Sequence, residues 1–116
     1  DLLVQTAKET LVPVAAKNQV AVVLGAPLHQ GLLGSKRDRW LKQRFAHLRS
    51  KLEKIEDTLS NESDTLSRLG LRYILSDPNV TVVLSGAADA REIDDVARAS
   101  AHGPLASDLI RRIEAC

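Results

Sequence analysis

Val22–Lys36 reads VVLGAPLHQGLLGSK, an apolar run that breaks at Gly-Ala-Pro and passes into a loop with two more glycines and a closing lysine. The run belongs to a longer one, QVAVVLGA at Gln19–Ala26, and has a counterpart in NVTVVLSGA at Asn79–Ala87. Both are rich in valine, lack a polar face and close on a glycine-containing turn. Continuous apolar character between turn signals predicts strands buried on both faces, the kind found in parallel sheets. Helix lies between them. Leu41, Phe45, Leu48, Leu52, Ile55 and Leu59 alternate spacings of four and three, which predicts one helical stripe. Asn61–Ser63 supply breaker and capping chemistry, and Leu66, Leu69, Tyr73 and Ile74 begin a second apolar face that ends before Pro78. The order is strand, long helical crossover, parallel strand. An earlier helix is expected over about Glu9–Asn18, with Pro13 near its first turn. Two more follow the second strand, one from about Ala90 and one opened by Pro104. The fold class is therefore α/β, with two parallel strands and about five helices.

Composition narrows the function classes. With 116 residues, 44% of them hydrophobic, the chain has the makings of one folded domain. Aromatics make up only 3%, so the core must come from Leu, Val, Ile and Ala. A formal net charge of +1 argues against nucleic acid as a partner, since such affinity comes from neutralising phosphates. Basic residues do gather between Lys36 and Lys54, where a solvated helix face is the expected reading. Apolar runs are too short to cross a bilayer, so no membrane partner is expected. Cys116 is the only cysteine, which allows no internal disulfide framework and makes a reducing cytoplasm the expected setting.

GAPLHQGLLGSK, Gly25–Lys36, resembles the aldo-keto reductase motif S-P-L-x-x-G-L-L-x-G-K, which follows the seventh strand of that family's eight-stranded α/β barrel. LRYILSDPNVTVVLSGAADAREIDD, Leu71–Asp95, is similar to A-L-R-W-L-L-x-x-P-x-V-x-x-V-L-x-G-A-S-x-x-E-Q-L-x-E-N, which runs through the eighth strand into the next helix. The opening Asp1–Leu3 resembles the tail of the Y-N-L-L segment after the sixth strand. The resemblance implies the C-terminal part of a (β/α)8 barrel, NAD or NADP as cofactor, and an aldehyde, ketone or sugar aldose as substrate. Barrels of this kind place ligands at the carboxyl ends of their strands. Pro27, Leu28, Gln30 and Lys36 are carried over as contacts along the cofactor pyrophosphate, with Lys36 supplying positive charge. Gly86, Ala88, Glu92 and Asp95 match positions around the adenosine end, where a helix N-terminus offers amides to a phosphate. Independently of any ligand, Asp89 and Glu92 have the spacing of a capping box.

Departures from the pattern matter as much. Ala26 replaces the serine that would contact phosphate, and Gly25 stands where many members carry an aromatic on the nicotinamide. Ala88 replaces a serine near the 2′-phosphate, Val96 replaces an asparagine at the adenine, and Asp89 adds a negative charge that favours NAD over NADP. The family's catalytic Asp, Tyr, Lys and His lie in the half of the barrel that precedes this chain. Tyr73 is on the apolar stripe and is expected in the core rather than as a proton donor. The three histidines and single cysteine show no metal-ligand spacing. No catalytic or metal-binding residue is therefore expected, and the chain alone should be inactive. A full barrel needs about 250 residues. Two strands leave free edges and a bare face, which predicts self-association or pairing with the missing half. A non-catalytic interaction module, using the Leu41–Leu59 stripe or those edges, is the alternative.

Overall fold

The computed structural model describes residues 1–116. Strand β1 (Val23–Gly25) pairs in parallel with β2 (Val82–Leu84), in the register Val23 to Val82, Leu24 to Val83 and Gly25 to Leu84. Helices α1 (Thr6–Glu9) and α2 (Leu11–Lys17) precede β1. The crossover carries α3 (Arg37–Gln43), a 3-10 turn at Ala46–Leu48, α4 (Arg49–Leu59) and α5 (Leu66–Leu75). After β2 come α6 (Ala90–His102) and α7 (Ser107–Glu114).

The core is helical. Leu32, Leu33, Leu52, Ile55, Leu69 and Ile113 are almost wholly buried in one cluster that also takes Leu2, Leu41 and Phe45. Only Leu24 and Val83 reach it from the strands, each half-buried. Val23, Val82 and Leu84 point the other way and are 57%, 45% and 58% exposed. The expectation of strands buried on both faces is thus corrected: alternation sends one residue of each strand to the helices, and nothing in the chain covers the opposite face.

The Leu41–Leu59 stripe is buried as its spacing predicts, but not as one helix. Backbone amides of Arg44 and Phe45 both donate to the Trp40 carbonyl, closing α3, and a 3-10 turn links it to α4. The break lets the Phe45 ring lodge between His29, with centroids 4.7 Å apart, and Trp40, at 6.3 Å. Tertiary aromatic packing here outweighs the continuity of the helix. Thr65 caps α5 by accepting from the Arg68 amide at 3.3 Å. Pro104 does not open the last helix, which begins at Ser107. Arg72 holds the Gly103 and Pro104 carbonyls at 3.0 and 3.2 Å, and the Leu105 amide donates to Ser76 Oγ at 2.8 Å. Those bonds keep the segment extended through Ala106. Tyr73 is buried, and its hydroxyl donates to Glu114 Oε1 at 3.3 Å.

Candidate functional site: a cleft at the carboxyl ends of the strands

Where β1 and β2 end, the segments that follow them face each other across a cleft of about 650 Å³, within the range of about 300–1,000 Å³ usual for ligand clefts. From the segment after β1, Pro27, Leu28, Gln30 and Lys36 line it. From the segment after β2 come Gly86, Ala88, Glu92 and Asp95. Every residue carried over from the sequence therefore reaches one wall or the other, although the two segments lie about sixty residues apart along the chain, with the crossover helices between them.

The first wall is strained backbone. Ala26, His29 and Gln30 adopt positive φ of 52°, 49° and 58°, a region uncommon for residues with a side chain, and Gly31 follows at 92°. Helix α3 holds this conformation. Trp40 Nε1 donates to the Gln30 carbonyl at 2.9 Å, and an Arg44 guanidinium nitrogen donates to Gln30 Oε1 at 2.9 Å. The Gln30 amide nitrogen keeps its donors available. Lys36, exposed at the start of α3, lays its stem across Gly31; a Cβ on that glycine would lie 3.1 Å from Lys36 Cδ. No carboxylate pairs with Lys36. On the same loop, His29 Nδ1 lies 2.9 Å from Asp1 Oδ2, and burial lowers the imidazole below its ordinary pKa, so the neutral ring makes a hydrogen bond rather than an ion pair at neutral pH.

The second wall corrects one expectation. Two of the amides at the start of α6, those of Arg91 and Glu92, are not unpaired. Asp89 Oδ1 accepts from Arg91 and Glu92 at 2.9 and 3.1 Å, and Glu92 Oε2 reaches back to the Ala88 amide at 2.7 Å. The Asp89 half is the cap that the Asp89 and Glu92 spacing predicts, while the Glu92 carboxylate closes on Ala88, one residue before the cap; the Glu92 amide and the Arg91 side chain draw Asp89 below the usual carboxylate range. Glu92 Oε1 also accepts from Ser35 Oγ at 3.1 Å, which joins the two walls. Asp95 Oδ1 is held by Arg68 through Nε at 3.0 Å and an Nη at 2.6 Å. Behind it, Asp64 takes Arg68, Arg72 and His102; burial would raise its pKa, but the hydrogen bonds from the two arginines outweigh that and hold it low. Amides of Gly86 and Ala87 find no acceptor in the chain, and a Cβ on Gly86 would meet open space.

Sequence reading left out Ser35, Trp40, Ser67 and Ser85, which also line the cleft. Trp40 was within reach, since it lies four residues after Lys36 and so shares its helix face. Ser67 is placed by the fold alone, its hydroxyl donating to the Leu33 carbonyl at 2.7 Å.

A family model described as the aldo/keto reductase family matches residues 2–116. The chain belongs to the aldo/keto reductase family. No curated protein matches it. The aldo/keto reductases are oxidoreductases that use NAD(P)H, and two adjacent parallel strands with flanking helices are compatible with part of their barrel. The residues in this aldo/keto reductase cleft fit such a cofactor by the chemistry of their donors. Lys36, the Gln30 amide group and the Gly86 and Ala87 amides offer positive charge and N–H groups to an anion, while Asp89, Glu92 and one oxygen of Asp95 are engaged within the chain.

Proposed function

We propose that this chain is the cofactor-holding, C-terminal part of a (β/α)8 aldo/keto reductase barrel, acting on aldehydes, ketones or sugar aldoses with NAD or NADP. The observation that carries this reading is the convergence of two segments, one after each parallel strand, on one cleft with an unpaired lysine. When bound, the dinucleotide supplies or accepts the hydride. Lys36 offsets pyrophosphate charge, and the amides of Gly86 and Ala87 are donors toward the adenosine end. Pro27 and Leu28 exclude water along the β1 wall, and Gly86 and Ala88 keep the opposite wall low. Glu92 fixes the spacing of the walls through Ser35 and Ala88. Tyr73 supplies no acid-base group to the cleft, because it is buried against Glu114 and away from the cleft lining.

Trp40 lines the cleft and is the only tryptophan, so its fluorescence reports on binding. Saturable quenching by NADH or NADPH is expected, weakened about tenfold or more in Lys36→Ala, as for loss of a charge-assisted contact. An unquenched wild-type chain overturns the reading. Asp89 beside the proposed ribose end favours NADH over NADPH, and tighter NADPH binding by calorimetry would reverse that preference.

The open sheet face supports a second reading, in which the chain docks the remaining half of a barrel or a second copy of itself. Val23, Val82 and Leu84 are exposed there. The Leu41–Leu59 stripe is not available for such an interaction, because the core consumes it. A reducing cytoplasm remains the proposed setting; no helix is long and apolar enough to cross a membrane.

A further inference from the structure

Two carboxylates, Glu92 and Asp95, line a cleft whose proposed ligand carries a pyrophosphate. Like charges at close range repel strongly where water is partly excluded, so each carboxylate needs a counterpart. Glu92 finds the Ala88 amide and Ser35 Oγ. Asp95 depends on Arg68.

The geometry around Arg68 is that of a fixed support. From α5 its guanidinium gives Nε and one Nη to the same oxygen of Asp95, Oδ1, at 3.0 and 2.6 Å. Its other Nη goes to Asp64 Oδ1 at 3.3 Å. Asp64 is in turn held through Oδ2 by Arg72 at 3.0 Å and by His102 at 3.2 Å. Arg68 therefore cannot swing away from Asp95 without also breaking a second pair, which lowers the entropic cost that makes ordinary surface ion pairs weak. Asp95 Oδ2 is left with no partner in the chain.

Resting on the dinucleotide reading above, we infer that Arg68 is a positioning residue of this cleft. It fixes Asp95 by one oxygen, offsets that charge beside an anionic ligand, and leaves Oδ2 as an oriented acceptor for the adenosine half. The competing explanation is a pair that only ties α5 to α6. The charged groups that bear on Asp95 are Arg68 and, behind it, Asp64 on the α5 side; Glu92 and the paired Asp94 and Arg98 on α6; and Lys36 across the cleft.

Quenching of Trp40 by NADH in the full chain separates the two. Arg68→Gln is expected to weaken NADH binding about tenfold near neutral pH, the loss of one charge-assisted contact. Arg68→Lys should recover part of the affinity. In an Asp95→Asn background the same Arg68→Gln change should cost nothing further, because the group it serves is gone. Wild-type affinity in Arg68→Gln, or an equal loss with and without the Asp95 carboxylate, overturns the inference and leaves the dinucleotide reading standing. Absence of quenching in the wild-type chain overturns both. Should Arg68→Gln fail to fold, Arg68→Lys carries the test, with a loss of a few-fold expected only when Asp95 is present.

Discussion

Gly31 shows how a single residue shapes the cleft. Its φ of 92° lies where side chains are strained, and the Lys36 stem passes over the place a Cβ would fill. Gly31→Ala is expected to cost about 1–2 kcal/mol in urea unfolding and to displace Lys36, so dinucleotide affinity should fall with stability. An unchanged denaturation midpoint would show that the loop relaxes. Tyr73 carries a different prediction. Burial, reinforced by the charge and hydrogen bond of Glu114, raises its phenol well above the ordinary value of about 10. A group whose folded-state pKa is raised contributes stability that is fully present below its unfolded pKa and is lost as pH rises above it. The Tyr73 contribution to stability should therefore be constant near neutral pH and fall above about pH 10. Tyr73 is the only tyrosine, so phenolate absorbance during an alkaline titration reads it directly. Phenolate that emerges at its ordinary pKa in the folded chain contradicts the burial account.

Helix α5 is the element on which most of the molecule leans. Leu69, Leu71, Tyr73 and Ile74 are buried, and Gly70 lets side chains of Leu2 and Leu33 close to 3.4 Å of where its Cβ would be. Thr65 is its cap. Thr65→Ala should destabilise the chain by about 1 kcal/mol, measured as a shift in urea midpoint with unchanged slope. Threonine-to-serine should restore it. The elements also show where sequence legibility stops. The four-and-three spacing of Leu41 to Leu59 correctly marked buried positions, because side-chain periodicity is local. It did not reveal the break at Arg44–Leu48, which depends on Phe45 meeting the ring of His29 from a loop well upstream. The Asp89 and Glu92 cap was legible for the opposite reason, since both partners lie within one turn.

At the scale of the molecule, two three-residue strands have one helical layer against them and an apolar face toward solvent. Parallel strands are usually covered on both sides, and free edges invite further pairing. Sedimentation is expected to show self-association that rises with concentration, and Val82→Lys together with Leu84→Lys should shift the chain toward monomer. A wild-type monomer across the accessible concentration range would remove the second-copy reading. Mixing with a barrel half from the same family should compete with self-association if both use the same edge.

The sequence by itself determined the strand–crossover–strand order, the buried stripe, the α6 cap and the segments that follow each strand, because these rest on periodicity, turn chemistry and neighbours within a few residues. Tertiary structure alone decided which side chains of those two segments meet across the cleft, that Asp95 is occupied by Arg68, and that Val23, Val82 and Leu84 lie on the open sheet face. Each of these depends on groups brought together across the crossover, where packing and charge pairing are settled by distance in space rather than along the chain.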